Sequence, residues 1–233
     1  MYKRQPSNQE IPSYVQVVGA VYKNSDPSDI AVTAAGGLVG EVIQVWRPRE
    51  LNTHETEWGF SCMSYEISGA LGIKMANPNK EVISFVGDGS YLLNNTDIYS
   101  SVITNNKLII IVCDNGGFAV INRLQLFKGG NEYNNLLKSS NTPGLVNVDF
   151  AKHAESMGAK SEHVNSISDL EEAFKRAKKS DVTYVISIKT HAYQWLEGSA
   201  FWDSPTLEIP TTKENKEALK LYKEGKNKQR QGV

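Results

Sequence analysis

Two short apolar runs, each followed by a glycine turn, form the clearest pattern in the sequence. Residues 82–86 and 108–112 are almost continuously apolar and rich in β-branched side chains, which is typical of strands buried on both faces of a parallel sheet. Residues 91–105, between them, have the length of one helix. The stretch therefore predicts a βαβ unit, whose right-handed crossover places both following loops at one sheet edge, where open α/β sheets bind ligands.

The remaining apolar periodicity extends this pattern over most of the chain. Ser168, with Glu171 three residues later, predicts the capping box of one helix, and the charged segment 211–230 predicts a capped polar helix. We expect an α/β fold with a doubly wound, mainly parallel sheet and helices on both faces. Further helices are predicted at 12–23, 36–46, 62–75, 119–126, 148–157 and 167–179, and further strands at 29–34, 161–164 and 182–188.

The domain boundaries are predicted from shifts in composition. Residues 12–205 are expected to form one domain, followed by a polar helix and tail at 206–233. Residues 1–11 are expected to be a non-native or linker segment, because the opening MYKRQ matches nothing downstream and resembles a translated adapter end. On this interpretation the chain is the C-terminal piece of a longer protein.

Charge and cysteine content narrow the classes of protein to consider. The 233 residues carry a formal net charge of −1, which argues against a nucleic-acid-binding surface. No apolar run is long enough to span a bilayer, and the start does not resemble a signal peptide. The two cysteines, Cys62 and Cys113, form no CxxC motif and are expected to be free thiols. We expect a cytoplasmic protein with neither nucleic-acid nor membrane partners.

The residues in the two glycine turns are suited to binding a metal ion. Asp88 lies between Gly87 and Gly89, and Asn115 precedes a glycine pair; the interval between Asp88 and Asn115 is 115 − 88 = 27 residues. A carboxylate and a carboxamide at adjacent strand ends give an all-oxygen site of the kind that Mg²⁺ prefers. Gly89 and Ser90 open the next helix, whose free N–H groups favour an anion. Together these features predict a metal-bridged phosphate, although a lone GDG sequence is more often a plain β-turn.

A second glycine turn follows the predicted first strand. Gly36, Gly37 and Gly40 stand where a dinucleotide-binding site would begin. The sequence GGLVG lacks the GxGxxG spacing, and a nicotinamide or flavin site remains a weak alternative.

The sequence from Gly87 to Phe118 resembles the diphosphate-binding motif of thiamine diphosphate enzymes, a GDG followed after a spacer by an asparagine pair. The resemblance implies the thiamine diphosphate-binding fold, with thiamine diphosphate and Mg²⁺ as cofactors. It also implies that Asp88, the Asn115 side chain and the Gly117 carbonyl hold the metal. The sequence departs from the pattern at Asp114, where many members have the first asparagine.

The same resemblance implies cofactor contacts outside the motif. Gly37 and Leu38 match positions beside the diphosphate, and Ser61 and Met63 match positions that hold the aminopyrimidine ring, with Met63 as the wedge that bends the cofactor. By itself, a methionine at a helix start more often fills a core. The implied cofactor-binding residues are Gly37, Leu38, Ser61, Met63, Gly87, Asp88, Gly89, Ser90, Asn115 and Gly117.

Five longer segments resemble one branch of this family, whose members open the ring of a cyclic dione during myo-inositol catabolism. They are residues 13–23, 32–42, 57–76, 86–98 and the ending 195–233. This likeness implies hydrolysis of a carbon–carbon bond in a small-molecule cyclic dione by a homodimer or homotetramer. The activating glutamate is then expected on a pyrimidine-binding domain, in the same full-length chain or in a partner subunit, so no residue of this sequence is assigned a catalytic role. Two alternatives stay open: an acetolactate synthase-like or split-subunit enzyme, and a non-enzymatic phosphate-binding α/β module.

Three further segments permit two interpretations each. The polar stretch 127–144 is either a lid or a surface loop. The acidic and histidine residues at 54–57 are either a functional cluster or a solvated loop. An aromatic group after the last strand lines a substrate pocket or packs at a subunit interface; its members are His191, Tyr193, Trp195, Phe201 and Trp202.

Overall fold

A computed structural model of the chain describes residues 10–142, 144, 147–196 and 206–229. Its six strands are β1 Ile30–Thr33, β2 His54–Thr56, β3 Val82–Gly87, β4 Ile109–Asp114, β5 Lys160–Val164 and β6 Tyr184–Lys189. Its α-helices are α1 Tyr14–Asn24, α2 Gly36–Val45, α3 Tyr65–Ala76, α4 Asp88–Leu93, α5 Thr96–Ile103, α6 Ala119–Phe127, α7 Phe150–Ser156, α8 Ile167–Lys178 and α9 Lys213–Lys228. None of the helices in the described ranges is both long and apolar enough to cross a bilayer.

The strands form one parallel sheet in the order β2-β1-β3-β4-β6-β5. The chain passes from β1 to β2 on one side and then returns to place β3 on the other side of β1. The loops after β1 and β3 therefore diverge and leave a crevice at the carboxyl ends of the strands, which is where such sheets bind ligands. The predicted doubly wound α/β fold is confirmed.

Side chains that alternate along the central strands build a core on each face of the sheet. On β4, Ile109, Ile111 and Cys113 face a cluster that includes residues of α1, α2 and α8, whereas Ile110 and Val112 face a cluster with α3, α5 and α7. All five of these β4 side chains are fully buried. Burial on both faces explains why the strand sequences are continuously apolar rather than alternating.

Two helix starts differ from the sequence-based predictions for identifiable reasons. Helix α3 begins at Tyr65 instead of Cys62, because Ser61 and Ser64 adopt positive φ angles of 51° and 83°, which a right-handed helix excludes. The predicted cap of α8 at Ser168 is wrong, because Ser166 is the N-cap and its hydroxyl accepts the Asp169 N–H at 3.1 Å.

The helix predicted over 91–105 is also divided in the structure. Helix α4 ends at Leu93 and α5 begins at Thr96, because Asn94 is extended and its amide donates to the Ser68 hydroxyl at 3.0 Å. Asn95 donates back to the Tyr91 carbonyl at 3.1 Å. Local side-chain bonds of this kind compete with helical ones, which is why a pair of asparagines ends a helix.

Candidate functional site

A cleft of about 240 Å³ opens at the carboxyl ends of β1, β3 and β4. It lies at the point where the direction of strand order reverses, between the loops that follow β1 and β3. All ten residues of the predicted cofactor site line this cleft, although they come from four separate segments. They are Gly37, Leu38, Ser61, Met63, Gly87, Asp88, Gly89, Ser90, Asn115 and Gly117.

Asp88 ties together the two glycine turns. It is the first residue of α4, and its carboxylate accepts a hydrogen bond from the Gly117 N–H at 2.7 Å. The side chain is buried, and the ion pairs of the described residues do not include it. Burial raises the pKa of Asp88 to about 7, and the neighbouring carboxylate of Asp114 acts in the same direction, while the Gly117 N–H opposes it. A cation beside Asp88 would compensate the burial of its charge.

Asn115 follows β4 and presents its amide in a defined orientation. Its Nδ2 donates to the hydroxyl of Tyr14 on α1, while its Oδ1 is buried and has no hydrogen-bond partner among the described residues. A buried carbonyl oxygen without a partner costs free energy, and native proteins rarely leave one in that state. The oxygen is therefore available to a ligand, and it lies in a residue that lines the cleft beside Asp88.

The glycines of the two turns have different structural roles. Gly117 has a φ of 138°, and a Cβ there would lie 2.5 Å from the carbonyl oxygen of Asn135. A Cβ on Gly89 would lie 2.6 Å from the Phe118 ring, whereas a Cβ on Gly87 would meet no atom within 4 Å. Only glycine fits at Gly117, while the missing side chain of Gly87 leaves open space next to Asp88.

Asp114, which departs from the family pattern, has a structural role in the turn. It ends β4, and its carboxylate accepts the Gly116 N–H at 3.0 Å and pairs with Lys189 at the end of β6. The negative charge of Asp114 is thus balanced by a lysine from the adjacent strand. The predicted ligand, Asn115, is unchanged by this departure.

The available donor set fits a hard divalent cation. Within the described residues no three His, Cys, Asp or Glu side chains come together as a metal-binding group. A metal in this cleft would therefore use one carboxylate, one amide oxygen and backbone oxygens, as hard cations that bind oxygen do. The partnerless Oδ1 of Asn115 and the buried, raised-pKa carboxylate of Asp88 match that requirement.

A buried glutamate that the sequence analysis missed holds three loops of the cleft in place. Glu66 accepts the Ala35 N–H at 3.2 Å and the Ser90 hydroxyl at 2.7 Å, and Ser90 in turn accepts the Ser64 N–H at 2.7 Å. Burial raises the pKa of Glu66, and these hydrogen bonds oppose the increase. The one sequence signal was a glutamate within an apolar helix, which does not identify its partners.

The polar stretch 127–144, Glu57 and the two cysteines lie in different surroundings. Leu136 forms an antiparallel β-bridge with Gly117, so at that point the polar stretch 127–144 is anchored against the glycine turn that follows β4. The Glu57 carboxylate accepts hydrogen bonds from the backbone N–H groups of Phe60 and Cys62, so it stabilises its own local turn. Cys62 is exposed, whereas Cys113 is buried and burial raises the pKa of its thiol.

The segment after β6 packs next to the cleft and bounds a second, much smaller cavity of about 20 Å³. Trp195 stacks on the guanidinium of Arg123, 4.2 Å from the ring centroid, and the Leu196 N–H donates to the Glu41 carboxylate at 2.8 Å. His191 and Tyr193 precede this contact. Phe201 and Trp202, from the same predicted aromatic group, lie outside the described residues.

Comparison with known proteins gives a consistent family assignment. The profile described as "Thiamine pyrophosphate enzyme, C-terminal TPP binding domain" matches residues 34–188. The chain is 35% identical over 215 residues to 3D-(3,5/4)-trihydroxycyclohexane-1,2-dione hydrolase of Bacillus licheniformis, covering 92% of this chain and 33% of that protein. It is 34% identical over 195 residues to the enzyme of the same name from Bacillus subtilis, covering 84% and 30%. The chain thus spans about a third of the length of the curated relatives it matches.

Solved structures show the same fold at lower sequence identity. A thiamine diphosphate-dependent 4-hydroxybenzoylformate decarboxylase of Rhodococcus jostii RHA1 matches with a TM-score of 0.69 at 20% identity, over 82% of this chain and 35% of that one. Benzoylformate decarboxylase of Polynucleobacter necessarius matches with a TM-score of 0.70 at 20% identity, over 84% and 36%. Profile, relatives and fold together show that the chain belongs to the thiamine pyrophosphate enzyme family and contains its C-terminal cofactor-binding domain.

Proposed function

We propose that the cleft binds the diphosphate of thiamine diphosphate through Mg²⁺, held by Asp88, the side chain of Asn115 and the backbone carbonyl of Gly117. The observation that carries this proposal is the buried Oδ1 of Asn115, which has no partner among the described residues and lies in the turn that contacts Asp88. Gly87 leaves room for the diphosphate to approach the backbone.

The rest of the cleft supports the orientation of the cofactor. Gly37, Leu38, Ser61 and Met63 all line the cleft. Gly37 and Leu38, at the start of α2, would lie next to the diphosphate, and Ser61 and Met63 would hold the aminopyrimidine ring. Ser61 is fixed by the hydrogen bond from its hydroxyl to the Ala34 carbonyl at 3.1 Å. Bound thiamine diphosphate supplies a nucleophilic carbon and an electron sink for cleaving a carbon–carbon bond beside a carbonyl group.

The reaction that we propose for the whole enzyme is hydrolytic opening of trihydroxycyclohexane-1,2-dione in inositol catabolism. Support comes from relatives that carry the name of this hydrolase and resemble the chain over most of its length. An acetolactate synthase-like activity is the competing assignment, and it predicts turnover of pyruvate rather than of the dione.

A pyrimidine-binding domain completes the site in this proposal. Exposed apolar side chains lie on the helices that follow the two ligand turns, as expected of surfaces that another domain covers. They are Leu92, Leu93, Tyr99 and Ile103 on or next to α4 and α5, and Phe118, Ile121, Leu126 and Phe127 at the start of and along α6. The activating glutamate belongs to that domain, since Glu57 is engaged in its own turn.

A thermal-shift titration tests the binding step. With Mg²⁺ and thiamine diphosphate at about 100 times the dissociation constant, binding adds about 2.7 kcal/mol and raises Tm by roughly 5–10 °C. Asp88→Asn keeps an oxygen for the Gly117 N–H but removes the charge, and it should abolish the shift. Asp181→Ala, at the amino-terminal side of β6, is the control and should leave the shift intact. A wild-type chain without any shift would favour a phosphate-binding module without cofactor chemistry.

Assay of the reaction tests the substrate assignment. The chain would be mixed with a separately produced pyrimidine-binding domain of a trihydroxycyclohexane-1,2-dione hydrolase and supplied with Mg²⁺ and thiamine diphosphate. Ring opening of the dione without consumption of pyruvate supports the proposal. Consumption of pyruvate alone would replace it with the synthase-like assignment.

A further inference from the structure

The orientation of the Asn115 carboxamide decides whether the metal site works. Its two ends have similar shapes, but only the oxygen can bind a cation, because the NH₂ group is a pure donor. A rotation by half a turn would point Nδ2 into the cleft and eliminate one ligand. Some other group must therefore select one orientation, and Asp88 does not do so, since its hydrogen bond with this turn goes to the Gly117 N–H and not to the Asn115 amide.

Tyr14 is placed to make this selection. It is the first residue of α1, and its hydroxyl accepts the hydrogen bond from Asn115 Nδ2 across 101 positions of sequence. The ring is held by packing against the core cluster that includes residues of α1, α2 and α8, and the preceding residue, Ser13, forms a capping box with Gln16. With Nδ2 held by Tyr14, Oδ1 is the end that remains buried without a partner among the described residues.

A tyrosine hydroxyl can also donate, and donation to Oδ1 would favour the wrong orientation. The surroundings of Tyr14 disfavour that arrangement. Glu41 has a buried carboxylate oxygen, Oε2, that has no partner among the described residues. Tyr14, Glu41 and Asn115 line the same small cavity of about 20 Å³, which is large enough for one water molecule. Glu41 thus carries a carboxylate oxygen without a described partner and lines the same cavity as Tyr14, so the hydroxyl proton has an acceptor nearby other than Asn115 Oδ1.

We propose that Tyr14 is a positioning residue that fixes the Asn115 carboxamide with its oxygen toward the metal. This inference rests on the proposed Mg²⁺ site and adds a residue from outside the glycine motifs to it. In this role Tyr14 acts through Asn115, although its side chain also lines the cleft. Loss of a residue that orients a metal ligand typically weakens metal binding about 10–100-fold.

The test is a double-mutant cycle between Tyr14 and Asn115, read out as Mn²⁺ affinity in the presence of thiamine diphosphate. Tyr14→Phe keeps the ring but loses the hydroxyl, and it should weaken binding about 10-fold. Asn115→Asp replaces the amide by a carboxylate with two equivalent oxygens, so there is no orientation left to select. Adding Tyr14→Phe to Asn115→Asp should then change affinity less than about 2-fold.

A matched control separates orientation from general damage. Tyr184→Phe removes the hydroxyl of a different tyrosine, which donates a hydrogen bond to the Glu162 carboxylate at 2.6 Å. Tyr184 lies at the amino end of β6, away from the cleft. It should leave Mn²⁺ affinity unchanged. Metal-free thermal unfolding of every variant shows whether the fold is retained. If the Asn115→Asp variant does not bind Mn²⁺, the orientation of the Asn115 carboxamide can be followed directly by its side-chain NMR signals. These signals should be sharp in wild type and broadened in Tyr14→Phe.

Each remaining outcome has a defined meaning. Equal affinity of wild type and Tyr14→Phe would overturn the role of Tyr14 while leaving the metal site in place. Equal losses in the asparagine and aspartate backgrounds would also overturn it, because the hydroxyl would then act in some way other than orientation. A wild-type chain that binds no Mn²⁺ with thiamine diphosphate would remove the metal site and, with it, this inference. Unchanged NMR signals in Tyr14→Phe would contradict it independently.

Discussion

Individual residues of the cleft differ in how far the sequence predicted them. Asp88 and Asn115 were predictable, because glycine turns after buried strands identify both positions in the sequence. Tyr14 and Glu66 were not, because their roles depend on partners 101 and 24 residues away that only the folded chain brings close. Long-range polar contacts leave no periodic signal in one sequence. The assignment of all ten cleft residues to cofactor binding stays a prediction.

Gly87→Ala tests the open space beside Asp88. Because a Cβ there meets no atom within 4 Å, we expect the free energy of unfolding to change by less than about 0.5 kcal/mol. The added methyl group enters the cleft, however, and should weaken binding of thiamine diphosphate with Mg²⁺ at least about 10-fold. Isothermal titration and urea unfolding measure the two effects, and a substitution that left binding intact would contradict this role for Gly87.

Gly117→Ala should, unlike Gly87→Ala, lower the stability of the ligand-free chain. Its φ of 138° and the 2.5 Å approach to the Asn135 carbonyl make any side chain strained, so we expect a loss of stability of about 2–3 kcal/mol without any ligand. Urea unfolding of the ligand-free variant checks this. Gly144→Ala is the control, since it also has a positive φ, 82°, but has no atom within 4 Å of its built Cβ; a similar loss in both variants would show that φ alone is responsible.

Glu66→Gln tests the carboxylate that joins three loops. Glutamine offers one acceptor instead of two, so the Ala35 N–H or the Ser90 hydroxyl loses its partner, at a cost of about 1–3 kcal/mol. Because burial raises the pKa of Glu66 in the folded state, the folded chain binds its proton more tightly than the unfolded chain. The contribution of Glu66 to stability therefore falls as pH rises above 4.5, its ordinary pKa.

The measurement is urea unfolding of wild type and Glu66→Gln at several pH values. The difference in stability between them should be largest near pH 4.5 and should shrink as pH rises. Glu172→Gln, which alters an exposed pair with Lys175, serves as the control and should show no such trend. A difference that grows with pH would mean that folding lowers the pKa of Glu66 instead of raising it.

At the scale of elements, five of the six strands in the described residues and the long amphipathic helices were predictable, whereas the three-residue strand β2 and the boundaries set by side-chain hydrogen bonds were not. The buried strands β3 and β4 were found from their apolar runs alone. The split between α4 and α5 was missed because the competing bonds of Asn94 involve Ser68 on another helix. The cap of α8 was assigned to Ser168 instead of Ser166 because both serines precede the same apolar periodicity, and only backbone geometry separates them.

The contact between α9 and the rest of the molecule yields an element-scale prediction. Asn215 donates to the Gly129 carbonyl at 2.8 Å and is buried in this contact. Asn215→Ala should release α9 locally, so amide hydrogen exchange in residues 213–228 should accelerate about 5- to 10-fold while the sheet is unaffected. Asn227→Ala, exposed on the same helix, is the control. Acceleration throughout the domain would show that α9 is not an independent unit.

At the scale of the whole molecule, the order of the strands in the sheet could not be predicted from the sequence. The edge of the sheet that carries the functional loops could be predicted. Six parallel strands with a reversal between β1 and β3 require knowledge of every pairing. The single edge that carries the functional loops followed already from crossover handedness. Six of the eight exposed apolar side chains on α4 and α5 and at the start of and along α6 are at least half exposed, and exposed apolar surface can mark a contact with another protein.

These exposed faces predict that the isolated chain self-associates. Leu93 and Ile103, 63% and 62% exposed, should be covered in the associated form. Light scattering after size exclusion should give a mass that rises with concentration, and Leu93→Lys with Ile103→Lys should shift it toward the monomer. Leu51→Lys, 90% exposed in the loop before β2, is the control. A constant monomer mass at all concentrations would contradict the prediction.

The two cysteines differ in solvent accessibility, so one of them can be labelled selectively. A maleimide dye should attach at Cys62 alone, since Cys113 is sealed inside the sheet. The label would then lie one position before Met63, which lines the cleft. Wild-type protein thereby carries its own fluorescence reporter for cofactor docking, and no cysteine needs to be engineered in or out.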